Sequence, residues 1–470
     1  MNGEIWTWDS VATASAIRAG VISSREATQS VIDRIHAVNP VLNAIAETLE
    51  VEALAAADAA DAASVRGEAT GPLHGVPVTA KVNVDLAGHA TTHGVVAFKD
   101  AIAKEDSASV ANLRHAGAVV VGRTNIPTFC YRWFSSNALY GETRNPWGPS
   151  LSPGGSSGGA AAASATGIGS IAHGNDVAGS LRLPASACGI YGMRPTMGRL
   201  PSYNPAQAAE KSLCLQIAAT EGVLARSVRD IEVGLRALER PDHRDPTFVP
   251  APAASPGLDL PCRVALFTGE AEFGTDPEIV IALRQAARWL EEAGYVVEEA
   301  APPRMAEMAE LWMALLYAEC SGETREFMLS VGDGAFRKAF HDTAGNLPVL
   351  DAAAEHQAWE RRMTIQREWQ AFFATYPIVL LPTSFQPTFP LQHDQEGPET
   401  MAAIMRAFSV LSSTAGLALP SISVPAGMAR NVPAGVQITA ARFMDERCLA
   451  AARVMEGKIG PIRPIDPVWH

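Results

Sequence analysis

LSPGGSSGGAAAASATGIGSIAHGNDVAGSLRLP, residues Leu151 to Pro184, is the stretch on which the fold turns. It holds six serines and eight glycines and, apart from Asp176 and Arg182, no side chain of fixed charge. Gly/Ser-rich segments are usually flexible tethers. Here GGSSGG runs straight into AAAASATGIGSIAHG, whose small apolar residues suit a tightly packed helix. A phosphate loop needs Gly-Lys-Ser/Thr after its glycines. No lysine follows GGSSGG, and the nearest downstream cations are His173, if protonated, and Arg182. No short strand leads into the glycines, so a dinucleotide fingerprint is equally weak. The elbow G-x-S-x-G is satisfied around both Ser156 and Ser157. An elbow follows a buried strand and has an acid and a histidine downstream. NPWGPSLSP is no strand, and His341, His356 and His393 sit in no telling context.

Composition bounds the answer. The chain has 470 residues, 47% hydrophobic and 19% charged, enough apolar material for a large core. A prior of roughly 150 residues per domain gives two or three domains, although large α/β enzymes often run as one. Net charge is −13, with a pI near 5.4. That balance argues against nucleic acid as the main ligand and against anchoring on anionic membranes, since both need clustered Lys and Arg. MNGEIWTWDS has no basic region followed by an apolar run, so no signal peptide is expected. The longest low-charge stretch is the one quoted above, too rich in Gly, Ser and Pro for a membrane helix. Cys130, Cys188, Cys214, Cys262, Cys320 and Cys448 are scattered without C-x-x-C spacing, which fits reduced thiols and a cytoplasmic home.

Residues 1–65 read as a helical segment. Val11, Ala12, Ala14, Ile17 and Ile22 suit one face. Ser23 with Glu26 reads as a capping box, and Ala27, Val31, Ile32 and Ile35 follow at helical spacing. Val51 to Val65 is an Ala-rich, acidic helix. In GPLHGVPVTAKVNV the period switches to two through Val76, Val78, Ala80 and Val82. The helix SASVANLRHAG then leads into the apolar strand AGAVVVGRTN. This alternation predicts an α/β architecture. Residues 241–261, rich in Pro and Asp, read as a linker or surface connection. Beyond them CRVALFTGE is a strand, and DPEIVIALRQAARWLEEAGYVVEEA is a helix and a strand. A broken helical region runs from Pro303 to about Ala374. PIVLLPT, LALPSISVPAG and PAGVQITAARF are strands, and DERCLAAARVMEGKI closes as a helix.

Lys81 sits on the strand GVPVTAKVNV, between Ala80 and Val82. An apolar strand disfavours the charged lysine, so its pKa falls and it can serve as a base. A serine nucleophile needs such a base within hydrogen-bond reach. Ser156 and Ser180, 24 residues apart near the two ends of the opening stretch, are the candidate serines. His89 and His93 form H-x-x-x-H, but GHATTHG is a glycine-bracketed loop with no Glu between them. No metal and no cofactor are therefore expected.

The whole pattern resembles the amidase signature family, hydrolases with a Ser–cis-Ser–Lys triad. The likeness runs nearly end to end. The Lys81 strand and TTHG come first, then RTNIP, ALYGETRNPWGPSLSPGGSSGGAAA, GNDVAGSLRLPASACGIYGMRPTMGRLP and EGVLARSVRD. PIVLLPT, LALPSISVPAG and PAGVQITAARF complete the family's order. The resemblance implies a single large α/β/α domain with a central mixed β-sheet surrounded by helices. Residues 66–240 would hold the core with the triad. Residues 262–470 would supply the second half of the same sheet, with a variable substrate-pocket region at about 303–393.

It also implies roles. Ser180 is the expected nucleophile, and Ser156 the bridging serine after a cis peptide from Gly155. Lys81 is the expected general base, acting through Ser156. Backbone N–H groups around Val177, Ala178, Gly179 and Ser180 are the expected oxyanion hole, with Gly179 letting backbone approach the substrate. Val82 stands where Asp is common, Ala178 replaces the first glycine of Gly-Gly-Ser, and Thr128-Phe129-Cys130 replaces Glu-Phe-Ala. None of these removes the triad. Asp176 and Arg182 read as a buried pair that holds the loop.

The expected reaction is hydrolysis of the C–N bond of a small neutral or apolar amide, anilide or carbamate. Expected substrate contacts are Phe129, Cys130, Tyr131, Phe134, Gly155 and Arg199. The aromatic segment Phe129–Phe134, the region after MGRLP up to Leu215, and the 303–393 region are the expected walls. Trp312, Met313 and Tyr317 read as packing. The alternatives are a nylon-oligomer-type hydrolase, a glutamine-hydrolysing component of an amidotransferase complex, or an inactive binding protein of the same fold. Against the last, Lys81, Ser156 and Ser180 are all present. The expected partner is a small-molecule amide or carbamate, and the expected state a monomer or homodimer.

Overall fold

Every residue of Pro77–Lys81 is buried in the computed structural model, Thr79 and Lys81 included. The period of two seen there therefore marks no solvent face. The strand is covered on both sides, as parallel strands under helices are. The structure describes residues 4–68, 70–207, 209–250 and 260–469.

The sheet strands are β1 Ile45–Thr48, β2 Pro77–Lys81, β3 Val119–Thr124, β4 Ile171–Asp176, β5 Tyr191–Arg194 and β6 Thr220–Ala225, followed by β7 Arg263–Leu266, β8 Val296–Glu299, β9 Ile378–Pro382, β10 Ser421–Ala429 and β11 Val432–Ala440. They form one 11-stranded sheet in the order β1-β3-β2-β4-β6-β5-β10-β11-β9-β7-β8. β2 is parallel to β3 and β4, and β7 is parallel to β8 and β9. The other pairs are antiparallel. The chain thus has the mixed sheet surrounded by helices that the sequence led us to expect.

Residues 1–65 are not wholly helical. Helices Ser10–Arg18, Ser24–Leu42 and Glu50–Val65 flank β1, an edge strand of four residues that is too short to declare a period. Ile22 lies beyond the first helix. The Ser23–Glu26 capping box is present, with both reciprocal bonds made.

The opening stretch resolves into helix, strand, turn and helix. Gly158–Ala165 is a helix buried on every side, and its alanines pack against Val31, Ile35 and Leu42. β4 follows, then the helix Arg182–Cys188. Ser180 therefore occupies a strand–turn–helix junction, the setting that is missing upstream of Ser156. β4 is easy to miss because IAHGND carries only two apolar side chains, yet the sheet buries almost all of it.

Of the 241–261 connection, residues 251–259 lie outside the described residues. Residues 241–250 form no helix or strand. Helices Met305–Glu319, Gly322–Val331, Gly334–Gly345 and Ala352–Thr375 follow β8. Among the described residues, no helix is long and apolar enough to cross a membrane.

Candidate active site

β2 ends in the left half of the sheet, with β3 and β4 as its neighbours, and carries Lys81 to a fully buried position. Burial pushes the lysine pKa down, while the Cys130 thiol, Glu221 and Asp176 pull it back up. The net direction is downward, toward the neutral amine. Lys81 Nζ donates to Asn175 Oδ1 at 2.6 Å and lies 2.7 Å from Ser156 Oγ. A neutral amine has two N–H bonds and one lone pair. With one N–H held by Asn175, the lone pair can turn to the Ser156 hydroxyl.

The Gly155–Ser156 peptide is cis. A Cβ at Gly155 would lie 2.6 Å from the Trp133 carbonyl carbon and 2.7 Å from the Phe134 nitrogen, so only glycine fits beneath that segment. Ser156 reaches the cavity described below, whereas Lys81 sits behind it. The Ser157 N–H donates to the Ser180 carbonyl at 3.2 Å and ties the two serine segments together.

The turn from Asp176 to Ser180 is held at every carbonyl. Asp176 O accepts from Arg194 Nη1 (2.6 Å), Val177 O from Trp312 Nε1 (2.9 Å) and Ala178 O from Trp133 Nε1 (3.0 Å). Gly179 O accepts from Leu183 N (2.9 Å) and Ser180 O from Ser157 N (3.2 Å). The Asp176 carboxylate accepts the N–H groups of Gly179 (2.8 Å) and Leu181 (3.1 Å). The N–H groups of Val177, Ala178 and Ser180 are left with no acceptor among the described residues. Three of the four expected oxyanion donors are thus open, and Gly179 is engaged. Its glycine is needed for another reason than approach to substrate: φ is +103°, and a Cβ would meet Leu411 at 2.7 Å.

Asp176 forms the expected pair with Arg182, whose Nε and Nη2 each lie 3.1 Å from its oxygens. Arg194 joins as a second guanidinium, 3.4 Å away. Burial alone would raise the Asp176 pKa, but the two arginines outweigh it and hold the carboxyl well below the usual range.

A polar chain runs from beside Lys81 to the cavity wall, where Glu221, Ser202 and Lys211 lie. His173 Nδ1 accepts from the Lys81 N–H at 3.4 Å, and His173 Nε2 is 2.9 Å from Glu221 Oε2. Ser202 Oγ donates to Glu221 Oε1 at 2.8 Å, and Lys211 Nζ donates to Ser202 Oγ at 2.7 Å. Neither Asn175 nor this chain was identified from sequence. The signal lies in pairing: β4 against β6 sets Asn175 opposite Glu221 and His173 opposite Val223.

Ser156 and Ser180 open onto one cavity of about 750 Å³, within the range of small-molecule sites. Phe129, Cys130, Tyr131 and Phe134 line it, as do Ser202 to Leu215 in part and residues of the 303–393 region. Three expectations need correction. Arg199 is not among the lining residues, because its guanidinium is held by Glu239, Asp445 and Glu446. Met313 and Tyr317 line the cavity, and only Trp312 is packing, because the turn of helix Met305–Glu319 places it behind them. Gly155, expected as a substrate contact, does not line the cavity, because the Arg132–Phe134 backbone covers it. His93 lines the cavity, whereas His89 bonds Glu47 at 2.7 Å. Among the described residues, no three His, Cys, Asp or Glu side chains are gathered for a metal.

The family model for Amidase matches residues 26–449. The chain belongs to the amidase signature family. It is 40% identical over 460 residues to an indoleacetamide hydrolase of Bradyrhizobium diazoefficiens, covering 98% of this chain and 88% of that protein. It is 31% identical to a glutamyl-tRNA(Gln) amidotransferase subunit of Moorella thermoacetica, covering 93% of each. The solved 6-aminohexanoate cyclic dimer hydrolase in complex with substrate superposes with a TM-score of 0.84 at 27% identity, covering 99% of each chain. This amidase is therefore an amide hydrolase by family.

Proposed function

We propose that this amidase cleaves the C–N bond of a small aromatic or otherwise apolar neutral amide, with anilides and carbamates as chemically adjacent substrates. The observation that carries the reading is the buried Lys81 Nζ, 2.7 Å behind Ser156 Oγ, with Ser156 and Ser180 on one cavity. As Ser180 Oγ attacks the carbonyl, its proton passes to Ser156, whose own proton goes to neutral Lys81. The tetrahedral oxyanion is received by the N–H groups of Val177, Ala178 and Ser180. Removing one such donor typically costs about 2.7–4 kcal/mol of barrier. The C–N bond then breaks, and the proton returns through Ser156 to the leaving amine. Water, activated by the same route, frees the acyl group from Ser180 as a carboxylic acid. With a carbamate, the same attack releases an amine.

The aromatic preference rests on Phe129, Tyr131, Trp133 and Tyr317 in the wall, and on the likeness to an indoleacetamide hydrolase. The test is a panel of indole-3-acetamide, phenylacetamide, p-nitroanilides, aryl carbamates and glutamine. Arylacetamides are expected to lead. A preference for glutamine together with copurifying subunits would replace this reading with the amidotransferase one, which the 31% relative supports. Turnover of every substrate at the wild-type rate by Ser180→Ala would overturn the mechanism.

A further inference from the structure

We infer that Trp312 is a positioning residue for the oxyanion site: its indole N–H fixes the Val177–Ala178 peptide so that the Ala178 N–H faces the reacting carbonyl. The inference rests on the reading that Ser180 is the nucleophile.

A peptide unit is planar and trans, so its C=O and N–H point in opposite directions. Anchoring the carbonyl of residue 177 therefore aims the N–H of residue 178. Trp312 Nε1 holds Val177 O at 2.9 Å from within helix Met305–Glu319. The Ala178 N–H, on the far side of that unit, has no acceptor among the described residues, and Ala178 lines the cavity. Trp312 is itself fully buried and does not line the cavity, so contact with substrate is not its role. The indole is seated tightly: a Cβ at Gly416 would lie 2.7 Å from Trp312 Cγ. Were this peptide to turn over, the Val177 carbonyl would face the developing oxyanion and repel it.

Trp133 supplies the internal contrast. It holds the next carbonyl, Ala178 O, at 3.0 Å, but the N–H across that unit belongs to Gly179 and already bonds Asp176. Trp133 also lines the cavity. The two indoles make the same bond, and only one of them aims an open donor.

The experiment compares wild type, Trp312→Phe and Trp133→Phe on phenylacetamide, with an aryl boronic acid as oxyanion mimic and phenylacetate as product inhibitor. Loss of one oxyanion donor costs about 10²–10³-fold, so Trp312→Phe is expected to lower kcat by at least about tenfold. Its KM and phenylacetate inhibition are expected to stay within about twofold, while boronate inhibition weakens in step with kcat. Trp133→Phe is expected to act mainly on KM. If Trp312→Phe does not fold, benzothienylalanine at position 312 keeps the ring shape and removes only the N–H donor. A kcat within twofold of wild type, or an equal loss of boronate and phenylacetate binding, would overturn the inference. Full activity of Ser180→Ala would instead overturn the reading beneath it.

Discussion

Lys81 at the end of β2 and Asp176 at the end of the adjacent β4 are buried to the same degree, at most 1% exposed, yet they are treated in opposite ways. Asp176 has two guanidiniums, from Arg182 and Arg194, and two backbone N–H groups around its oxygens. Lys81 Nζ bonds the neutral side chains of Ser156 and Asn175 and touches no carboxylate directly, although Cys130, Glu221 and Asp176 act on it. A buried charge survives when it is paired and hydrogen-bonded; otherwise the group neutralises. Asp176 therefore remains an anion and is scaffold. Lys81 is driven toward the free amine, the form the proposed mechanism uses as its base. Pairing, and not depth, separates the two.

The largest expected effect tests the reagent side. Ser180→Ala is expected to lower kcat/KM by at least about 10⁴-fold, as loss of a serine nucleophile does, with the thermal midpoint unmoved. Lys81→Met is expected to lower it by about 10²–10⁴-fold, the usual worth of a general base. It is expected to leave stability intact or raised, because a buried amine with no ion-pair partner gives way to an apolar chain of similar length. A Lys81→Met protein that melts well below wild type would break the contrast, since it would make the lysine a structural group.

The scaffold side predicts the reverse profile. Asp176→Asn leaves two buried guanidiniums without their anion, and breaking such a pair costs about 3–5 kcal/mol. Urea unfolding at neutral pH reads that loss directly. The sign in pH follows from the depressed native pKa. The contribution of Asp176 is complete above the unfolded value near 3.9 and is lost as pH falls through the native one. Wild type and Asp176→Asn are thus expected to converge in stability only in strong acid.

Much of this was legible in the sequence. GGSSGG, GNDVAGSLRLP and the Lys81 strand stand in one order, and the structure brings Lys81 and Ser156 together while Ser180 shares the cavity that Ser156 reaches. The Asp176–Arg182 pair followed from two lone charges in a small-residue stretch. What was hidden depends on pairing across strands and on helix facing. Asn175 and Glu221 meet only because β4 and β6 are antiparallel neighbours in that register. Trp312 and Trp133, 179 residues apart, converge on consecutive carbonyls. Arg199 lay inside a family motif but found three carboxylates in the fold. β1 was lost because four residues show no period.

Glu221 gives the finest test of the contrast, being a carboxylate near Lys81 that does not pair with it. Burial opposes its ionisation, but the bond from His173, with Lys211 and Ser202, outweighs burial and holds its pKa below the usual value. His173 bridges the two, its Nδ1 3.4 Å from the Lys81 backbone N and its Nε2 2.9 Å from Glu221 Oε2. The Glu221 carboxylate near Lys81 favours the ammonium form. The Cys130 thiol and Asp176 act in the same direction, and His93 also interacts with the lysine. Glu221→Gln removes one of these influences and leaves the rest. In the proposed mechanism the acid limb of kcat/KM reports free-enzyme Lys81 losing its proton, and removing the carboxylate is expected to move it to lower pH. The high-pH plateau is expected to fall only a few-fold, because Asn175 still orients Nζ. A limb that stays in place while the plateau collapses would make Glu221 part of the scaffold, beside Asp176, and would leave Lys81 neutral through burial alone.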